Sequence, residues 1–539
     1  MKPFLRSHPY LILFCITLGF RILTALPPEN AGYMDASYTI HVAENLARGR
    51  GFVEDVLWNY LDHPAGLPHP SNLYWMPLPA MLVAPFFILF GVSYRVAQIP
   101  FIVLSSLLPL VAFYVTRKIT GRDGDAWMAG LFTTFSGLFT VYWVSPDNFT
   151  TYGLTASVCL YLIARAVDNA SPRWMLIAGL FAGLSHLSRA DGLLLLLVPP
   201  LVIWVYGLRI KQPMSRLVRH SLLFTGYFIL GYLIVMAPWF YRNWAVAGTP
   251  LPSAGTKTIW MTRYDDLFRF DGDSLTLNSY LAWGMGAILE SKAYAALRNF
   301  AIIVLSVLQL YLLPFAIIGM WKLRHRTEII SMTLYTVLLY LAMTIAFTFP
   351  SWRGTLFHSS AALVPLLVVA VPTGIDESIQ WIARRRRTWN VRQAIPFFRT
   401  SLTLLAVFLS VIFYAMTVMP STVTGDDQNA TWNMRDLEYR EVGRWLDQHA
   451  RPADSVMTID PPSFYNFNHR PSIMIPTDSV DAVLAAAKKY DARYMVLLFD
   501  HPLPLTDVYQ GKTTVSWLTQ VAEFRDASGH RVLLFEVAR

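Results

Sequence analysis

PLPAMLVAPFFILFG, residues 77–91, is the stretch on which the topology of the whole chain turns. It is apolar nearly throughout, yet it is bounded by Pro and Gly and runs for only about 14 residues. A helix needs about 20 apolar residues to cross a hydrocarbon core, and runs of 10–14 are more often re-entrant or interfacial. We therefore read 77–91 as part of an external region. Counted as a span, it would put every later loop on the other side and turn the run Arg384–Arg387 outward.

With that stretch excluded, the remaining apolar runs predict eleven spans, near 9–26, 96–116, 126–144, 149–166, 174–188, 192–208, 220–238, 300–320, 329–349, 355–375 and 401–420. The composition agrees: 54% of the 539 residues are hydrophobic and 15% charged, against roughly a quarter charged in soluble proteins. The net charge of +9 is not a nucleic-acid stripe, because Lys and Arg collect in alternate short loops. That is the bias of cytoplasmic loops, and it places the N-terminus inside and the C-terminus outside. Arg21 interrupts the first apolar run and no small-x-small site follows it, so this run reads as an uncleaved helix rather than a leader. Cys15 and Cys159 both lie in apolar runs, which argues against a disulfide framework or a cysteine metal site.

The expected fold is mainly α: a polytopic helical bundle in the plasma or inner membrane, followed by an extracytoplasmic α/β domain. The membrane domain covers 1–420, with external regions at 27–95 and 239–299, and the soluble tail covers 421–539. In the tail, YREVGRWLDQHA and SVDAVLAAAKKY read as helices, DSVMTI and RYMVLLF as strands, and VAEFRDASGHRVLLFEV as a hairpin.

Chemistry-bearing residues gather on the outer side. Asp35 opens the segment DASYTIHVAENLARG, in which Tyr38, Val42 and Leu46 share a helical face. It reads either as the N-cap of that helix or as a base held ionised by the helix N-terminus. Asp147, in VSPDNFTTYG, reads as a turn residue and cap or as a second functional carboxylate. Arg189 and Asp191, in HLSRADGLLLLLVPP, stand between two apolar runs, where ionisable groups cost about 2.5–3.5 kcal/mol each. They pair locally or face a polar cavity. Arg242, in APWFYRNWAVAGTPLPS, and Arg353, five residues before His358 in FPSWRGTLFHSS, are further outer-face cations. Three Arg on that face suggest an anionic ligand. His63 and His69 match no metal-ligand spacing, and DDLFRFDGD at 265–273 lacks the calcium-loop pattern.

Taken together, YMDASY, YWMPLPAMLVAPFFILFG, YRVAQIPFIVLSSLLPLVAFY, GLSHLSRADGLLLLLVPP and APWFYRNWAVAGTPL resemble the GT-C superfamily of membrane glycosyltransferases. The resemblance covers most of residues 5–375. It is nearest the family 39-like branch of protein O-mannosyltransferases and the lipid A aminoarabinose transferase. It implies a polyprenyl- or dolichyl-phosphate sugar donor, a protein, lipid or glycan acceptor hydroxyl, and inversion at the anomeric carbon. By the same resemblance Asp35 is the general base and Asp147 orients base or acceptor. Arg242, Arg353 and Arg189 receive the donor phosphate, and Tyr33, Tyr38, His69, Trp75 and His358 line the substrate cavity. Ala36 stands where many relatives carry a second acidic residue. No cofactor is expected. Oligosaccharyltransferase relatives bind a divalent metal on carboxylates, but the sequence offers Asp35 and Asp147 no evident third ligand. The alternative is a transporter or flippase for a lipid-linked sugar. Such proteins usually show internal repeats and broken helices, and the sequence signals neither.

Overall fold

The structure, a computed structural model, describes residues 8–270, 272–348, 355–386, 388–418, 432, 435–526 and 529–538. Among these, seven helices are long and apolar enough to cross a membrane: Tyr94–Thr120, Asn148–Asp168, Ala190–Arg209, Met214–Ala247, Thr327–Ala346, Leu356–Arg385 and Val391–Val418. Pro9–Ala25, Leu78–Phe90 and Leu313–Lys322 are shorter apolar helices. The decisive stretch is thus a 13-residue helix that stops at Gly91, φ +83°. It is too short to span, and its tip leaves Ile88, Leu89 and Phe90 exposed. The chain is a multi-pass, mainly helical membrane protein with an α/β region at its C-terminal end.

Two expected spans are broken. Over 126–144 the helix Asp123–Thr134 gives way to short 3-10 turns at Gly137–Thr140 and Tyr142–Val144. Over 300–320 the helix Met285–Ile302 relaxes into a π turn, passes Gln309 and Leu310 at positive φ, and restarts at Leu313. Backbone groups freed in an apolar bundle must find partners, and the two breaks supply one of them to each other. The Gln309 side-chain amide donates to the Phe135 carbonyl at 2.8 Å. The Gly137 N–H donates to Ser410 Oγ of the last long helix, also at 2.8 Å. Hydropathy reports apolar content, not whether a helix continues, so neither break was visible in it.

Elsewhere the bundle is held by close backbone approach and by buried charge. A methyl group on Gly231 would lie 2.1 Å from the Leu176 carbonyl oxygen, and one on Gly179 would lie 2.0 Å from that of Phe228. Only glycine lets Pro172–Ser188 and Met214–Ala247 pack this tightly. At the other end from the first external region, Asp125 and Asp376 both accept from Arg122 and Arg399 at 2.6–2.8 Å, with Asp125 fully buried. This network ties the helices Asp123–Thr134, Val371–Arg385 and Val391–Val418 together.

The tail forms a sheet that it does not complete alone. Its strands are β4 (Ser455–Thr458), β5 (Ser472–Met474), β6 (Ala492–Leu497), β7 (Leu518–Arg525) and β8 (Arg531–Val537); the first external region adds β1 (Val53–Glu54), β2 (Val56–Leu57) and β3 (His69–Pro70). The six-stranded order is β2-β5-β4-β6-β8-β7, while β1 and β3 pair separately. β2 runs parallel to β5 in the register Val56 to Ser472 and Leu57 to Ile473. One face packs Leu57 and Tyr60 with Ile473, Val483 and Leu505. The other packs Tyr439, Val442, Leu446 and Phe464 against Val456 and Val496. The junction at 419–431 lies outside the described residues.

Replacing Asp376 by Ala leaves two guanidinium groups around one carboxylate, and losing one side of a buried pair costs roughly 3 kcal/mol or more. Thermal melting in detergent should show a clear loss of stability for Asp376→Ala. Arg122→Gln should lose less, because the Arg122 side chain is 53% exposed.

Candidate active site

Three loops far apart in sequence converge at the end of the bundle that also meets the tail. Asp35 lies in the first turn of the helix Met34–Ala47, whose cap position is Tyr33 with no side-chain cap bond. The N-cap reading of Asp35 is therefore corrected: its carboxylate is near the helix N-terminus but is not its cap. Asp147 does cap its helix, Asn148–Asp168, through Oδ1, which accepts from the Asn148 backbone N–H at 2.5 Å and from its side-chain amide at 2.8 Å. Its second oxygen, Oδ2, is left for other work. Tyr33 donates its hydroxyl to that oxygen at 3.0 Å, with Ser145 Oγ beside it at 3.1 Å. Burial, reinforced by the Asp147 charge, holds the Tyr33 hydroxyl protonated far above its usual range, so it serves as a donor.

The third member is His358. Its Nε2 lies 3.4 Å from Asp35 Oδ2 and 3.6 Å from Asp147 Oδ2. The imidazole stacks on Phe149, centroids 4.3 Å apart, which fixes the ring plane. The side chain of Asp147 is 3% exposed and that of Asp35 24%, so Asp35 is the more accessible of the two carboxylates. Ser359, the next residue, belongs to a second polar group. Arg189 donates to Ser359 Oγ at 2.9 Å and to Asp191, and Ser359 also donates to Asp191. One helical turn, Thr355–Ser359, thus carries partners of both groups.

Both groups lie on the wall of one cavity of about 1080 Å³. Tyr33, Asp35, Asp147, Arg189, Asp191 and His358 line it, and so do Tyr74 and Trp75. Trp75 stacks on Trp58, centroids 3.8 Å apart. His186, in the quoted HLSR motif but not singled out, lines the cavity and bonds the Tyr232 hydroxyl at 2.6 Å. The tail contributes Trp432, Asp460, Thr477, Asp500 and His501, which no spacing in the sequence could have indicated. Gly32, at φ +74°, lies directly under Trp432; a methyl group there would be 2.5 Å from the indole.

Asp35, Asp147 and His358 offer two carboxylate oxygens and one imidazole nitrogen, all within 4.8 Å of one another. That donor set fits a divalent cation, and His358 would be the third ligand that the sequence did not reveal.

The other expected site residues stand elsewhere. Arg242 donates to the carbonyls of Ser71 at 2.7 Å and Phe52 at 3.2 Å and lies over the Trp239 ring, centroid 4.8 Å away. It braces the first external region and is not among the residues on the cavity wall. Arg353 lies outside the described residues. Tyr38 donates to Glu54, accepts from the Asn72 N–H at 2.7 Å, and packs against Trp75. In the acidic run at 265–273, Asp266 accepts from the Thr262 and Arg263 N–H groups, while Asp273 pairs with His63 and Lys257.

His69 is an ion-pair residue of the first external region. Its Nδ1 faces Glu54 at 3.4 Å and its Nε2 faces Asp62 at 3.2 Å. Burial alone would lower its pKa, but the two carboxylates override this and raise it to about 9. A folded-state pKa above the unfolded value near 6.5 stabilises fully below about pH 6.5 and loses that contribution as pH rises through 9. The melting temperature of the wild type should therefore fall relative to His69→Gln between about pH 6.5 and 9, a difference read by parallel thermal melts across that range.

The sequence matches the dolichyl-phosphate-mannose-protein mannosyltransferase family over residues 62–241, about a third of the chain. No curated protein matches it. Among solved structures it resembles ArnT from Cupriavidus metallidurans bound to undecaprenyl phosphate, at TM-score 0.58 and 14% identity over 98% of each chain. It also resembles the archaeal oligosaccharyltransferase AglB from Archaeoglobus fulgidus in complex with an inhibitory peptide and a dolichol-phosphate. That match has TM-score 0.57 and 12% identity, over 91% of this chain and 69% of that one. The resemblance read in the sequence thus holds in three dimensions: the chain has the GT-C fold of these membrane enzymes.

Proposed function

We propose that the chain is a glycosyltransferase that moves a sugar from a polyprenyl- or dolichyl-phosphate donor to an acceptor hydroxyl, with inversion, on the outer face of the membrane. The observation that carries this reading is the cluster of Asp35, Asp147 and His358 beside Arg189 on one cavity wall. Undecaprenyl phosphate in the ArnT structure and dolichol-phosphate in the AglB structure support the class of donor.

In this mechanism Asp35 takes the proton of the acceptor hydroxyl as its oxygen attacks the anomeric carbon. A new C–O bond forms while the bond from that carbon to the donor phosphate oxygen breaks. The departing lipid phosphate keeps the electron pair, and Arg189 meets the charge that builds on it, a stabilisation largest in a site sheltered from water. Asp147, held by Tyr33 and by the N-terminus of its own helix, fixes His358 and through it the orientation of Asp35. A divalent cation held by Asp35, Asp147 and His358 would add positive charge at the same place. The two broken spans favour the second reading, a carrier for a lipid-linked sugar. A carrier, however, gives no particular role to a partly exposed carboxylate held beside an imidazole on the cavity wall.

Purified protein supplied with polyprenyl-phosphate sugars and candidate acceptors should release lipid phosphate only when an acceptor is present. Asp35→Asn should lower that rate by about 10²–10⁴ while the melting temperature holds. Full activity in Asp35→Asn, or movement of intact donor across liposomes without turnover, would sink the enzymatic reading.

A further inference from the structure

Arg21 is a charge that the proposed chemistry does not use. It interrupts the short apolar helix Pro9–Ala25 and is 0% exposed. Among the described residues, none of its guanidinium nitrogens Nε, Nη1 and Nη2 has a hydrogen-bond partner. A snorkelling arginine keeps its head group in water, which this burial rules out. A guanidinium stays ionised inside a protein, and an ion taken from water without a partner is costly enough that buried charges are paired. The network at the other end of the bundle shows the usual solution, with Arg122 and Arg399 both held by Asp376.

The surroundings of Arg21 offer ring faces and a hydroxyl instead of a carboxylate. Its guanidinium carbon lies 5.7 Å from the Phe20 ring centroid and 6.0 Å from that of Trp143. Both distances are near the limit of cation–π attraction, about 6 Å, and ring faces leave most of the five N–H groups unanswered. Trp143 is fully buried in the first broken span and donates through Nε1 to Ser136 Oγ at 2.6 Å. Ser136 accepts in that bond, so its own hydroxyl hydrogen is left to give. Thr17, one turn before Arg21, meets Thr134 at 2.9 Å and holds the two helices together there. A cation beside a further donor, closed off from water, suits an anion.

We infer that Arg21 and the broken span at 135–144 form a binding site for a small monovalent inorganic anion, a halide such as chloride. No part of this rests on the glycosyltransferase reading. Arg21 supplies the charge and the N–H donors, and Ser136 supplies a hydroxyl. A lipid phosphate is ruled out because it would have to reach a side chain with no exposed surface. A halide is small and needs no particular orientation. The site also bears on Asp147. Trp143 stands four residues before it, and the Trp143 carbonyl accepts from Thr150 Oγ1 at 2.8 Å, which fastens the broken span to the helix that Asp147 caps. An anion beside Trp143 therefore steadies the turn on which that carboxylate sits.

The test uses the full chain in lipid nanodiscs, melted in sodium chloride and in sodium gluconate at equal ionic strength, so that screening is the same in both. The melting temperature should be higher in chloride by about 1–2 °C, an effect that saturates as chloride rises. Equilibrium dialysis should find about one radiolabelled chloride per chain, displaced by bromide, and Arg21→Met should weaken its binding by about tenfold or more. The same variant should melt alike in the two salts. Crystals grown in bromide should show an anomalous peak at Arg21, which tests the site in the native chain even if the variant fails to fold. Coincident wild-type melts in the two salts, unchanged chloride binding by Arg21→Met, or bromide crystals without that peak would each overturn the inference and leave Arg21 to internal water. Displacement of chloride by nitrate or formate but not by bromide would overturn the choice of a halide.

Discussion

Two carboxylates held against one imidazole nitrogen set the terms for the rest of the structure. Like charges this close repel, and in a partly dehydrated cavity that repulsion is poorly screened. The fold answers with positive potential from several directions. Asp35 lies in the first turn of one helix and Asp147 caps another, so two helix N-termini point at the pair. Tyr33 donates to Asp147, and the His358 imidazole lies between the two carboxylates. These groups come from three connections between helices, Tyr33 and Asp35 sharing one, and a small change in any of them alters the charge balance of the whole site.

That dependence accounts for the role of the tail. The helix bearing Asp35 is braced from outside by Pro461–Asn468: Ser37 Oγ meets Ser463 Oγ at 2.8 Å, and Asn466 donates to the Ser37 carbonyl at 2.9 Å. Tyr490 reaches the Pro64 carbonyl at 2.9 Å, and Trp432 covers Gly32 while donating to the Asn30 carbonyl at 3.0 Å. Buried between bundle and sheet, the first external region belongs to both. It holds its own shape by the contacts of His69 with Glu54 and Asp62, and by Arg242 on the Ser71 carbonyl.

The sequence showed what depends on local composition and spacing. It distinguished the short helix Leu78–Phe90 from a span by length, and it placed the helix after Asp35 and, in the tail, the helices Arg435–His449 and Val480–Lys489 and strands β4, β6, β7 and β8, but not the helix Pro461–Asn468 or strand β5. Asp35, Asp147 and Arg189 stood out because charge at the edge of an apolar run is conspicuous. The association of His358 with the carboxylates was not legible, since it lies 211 residues beyond Asp147 and its own neighbours are ordinary helix residues. Nor was the bracing role of Arg242, because its partners are backbone carbonyls and those leave no sequence signature. The broken segments escaped notice for the opposite reason: Gly137 and Gln309 sit within runs that are apolar overall.

The two-residue strand β2 has a consequence for assembly. It supplies the edge of a sheet whose other strands are encoded some four hundred residues later. While the intervening helices are being inserted, the first external region has no β5 to pair with, and the helix carrying Asp35 lacks its outer support. The helix carrying Asp35 therefore gains its outer support only from Pro461–Asn468 and the β2–β5 pairing. A chain that has all its membrane helices but not the tail would lack both this brace and the strand that pairs with β2.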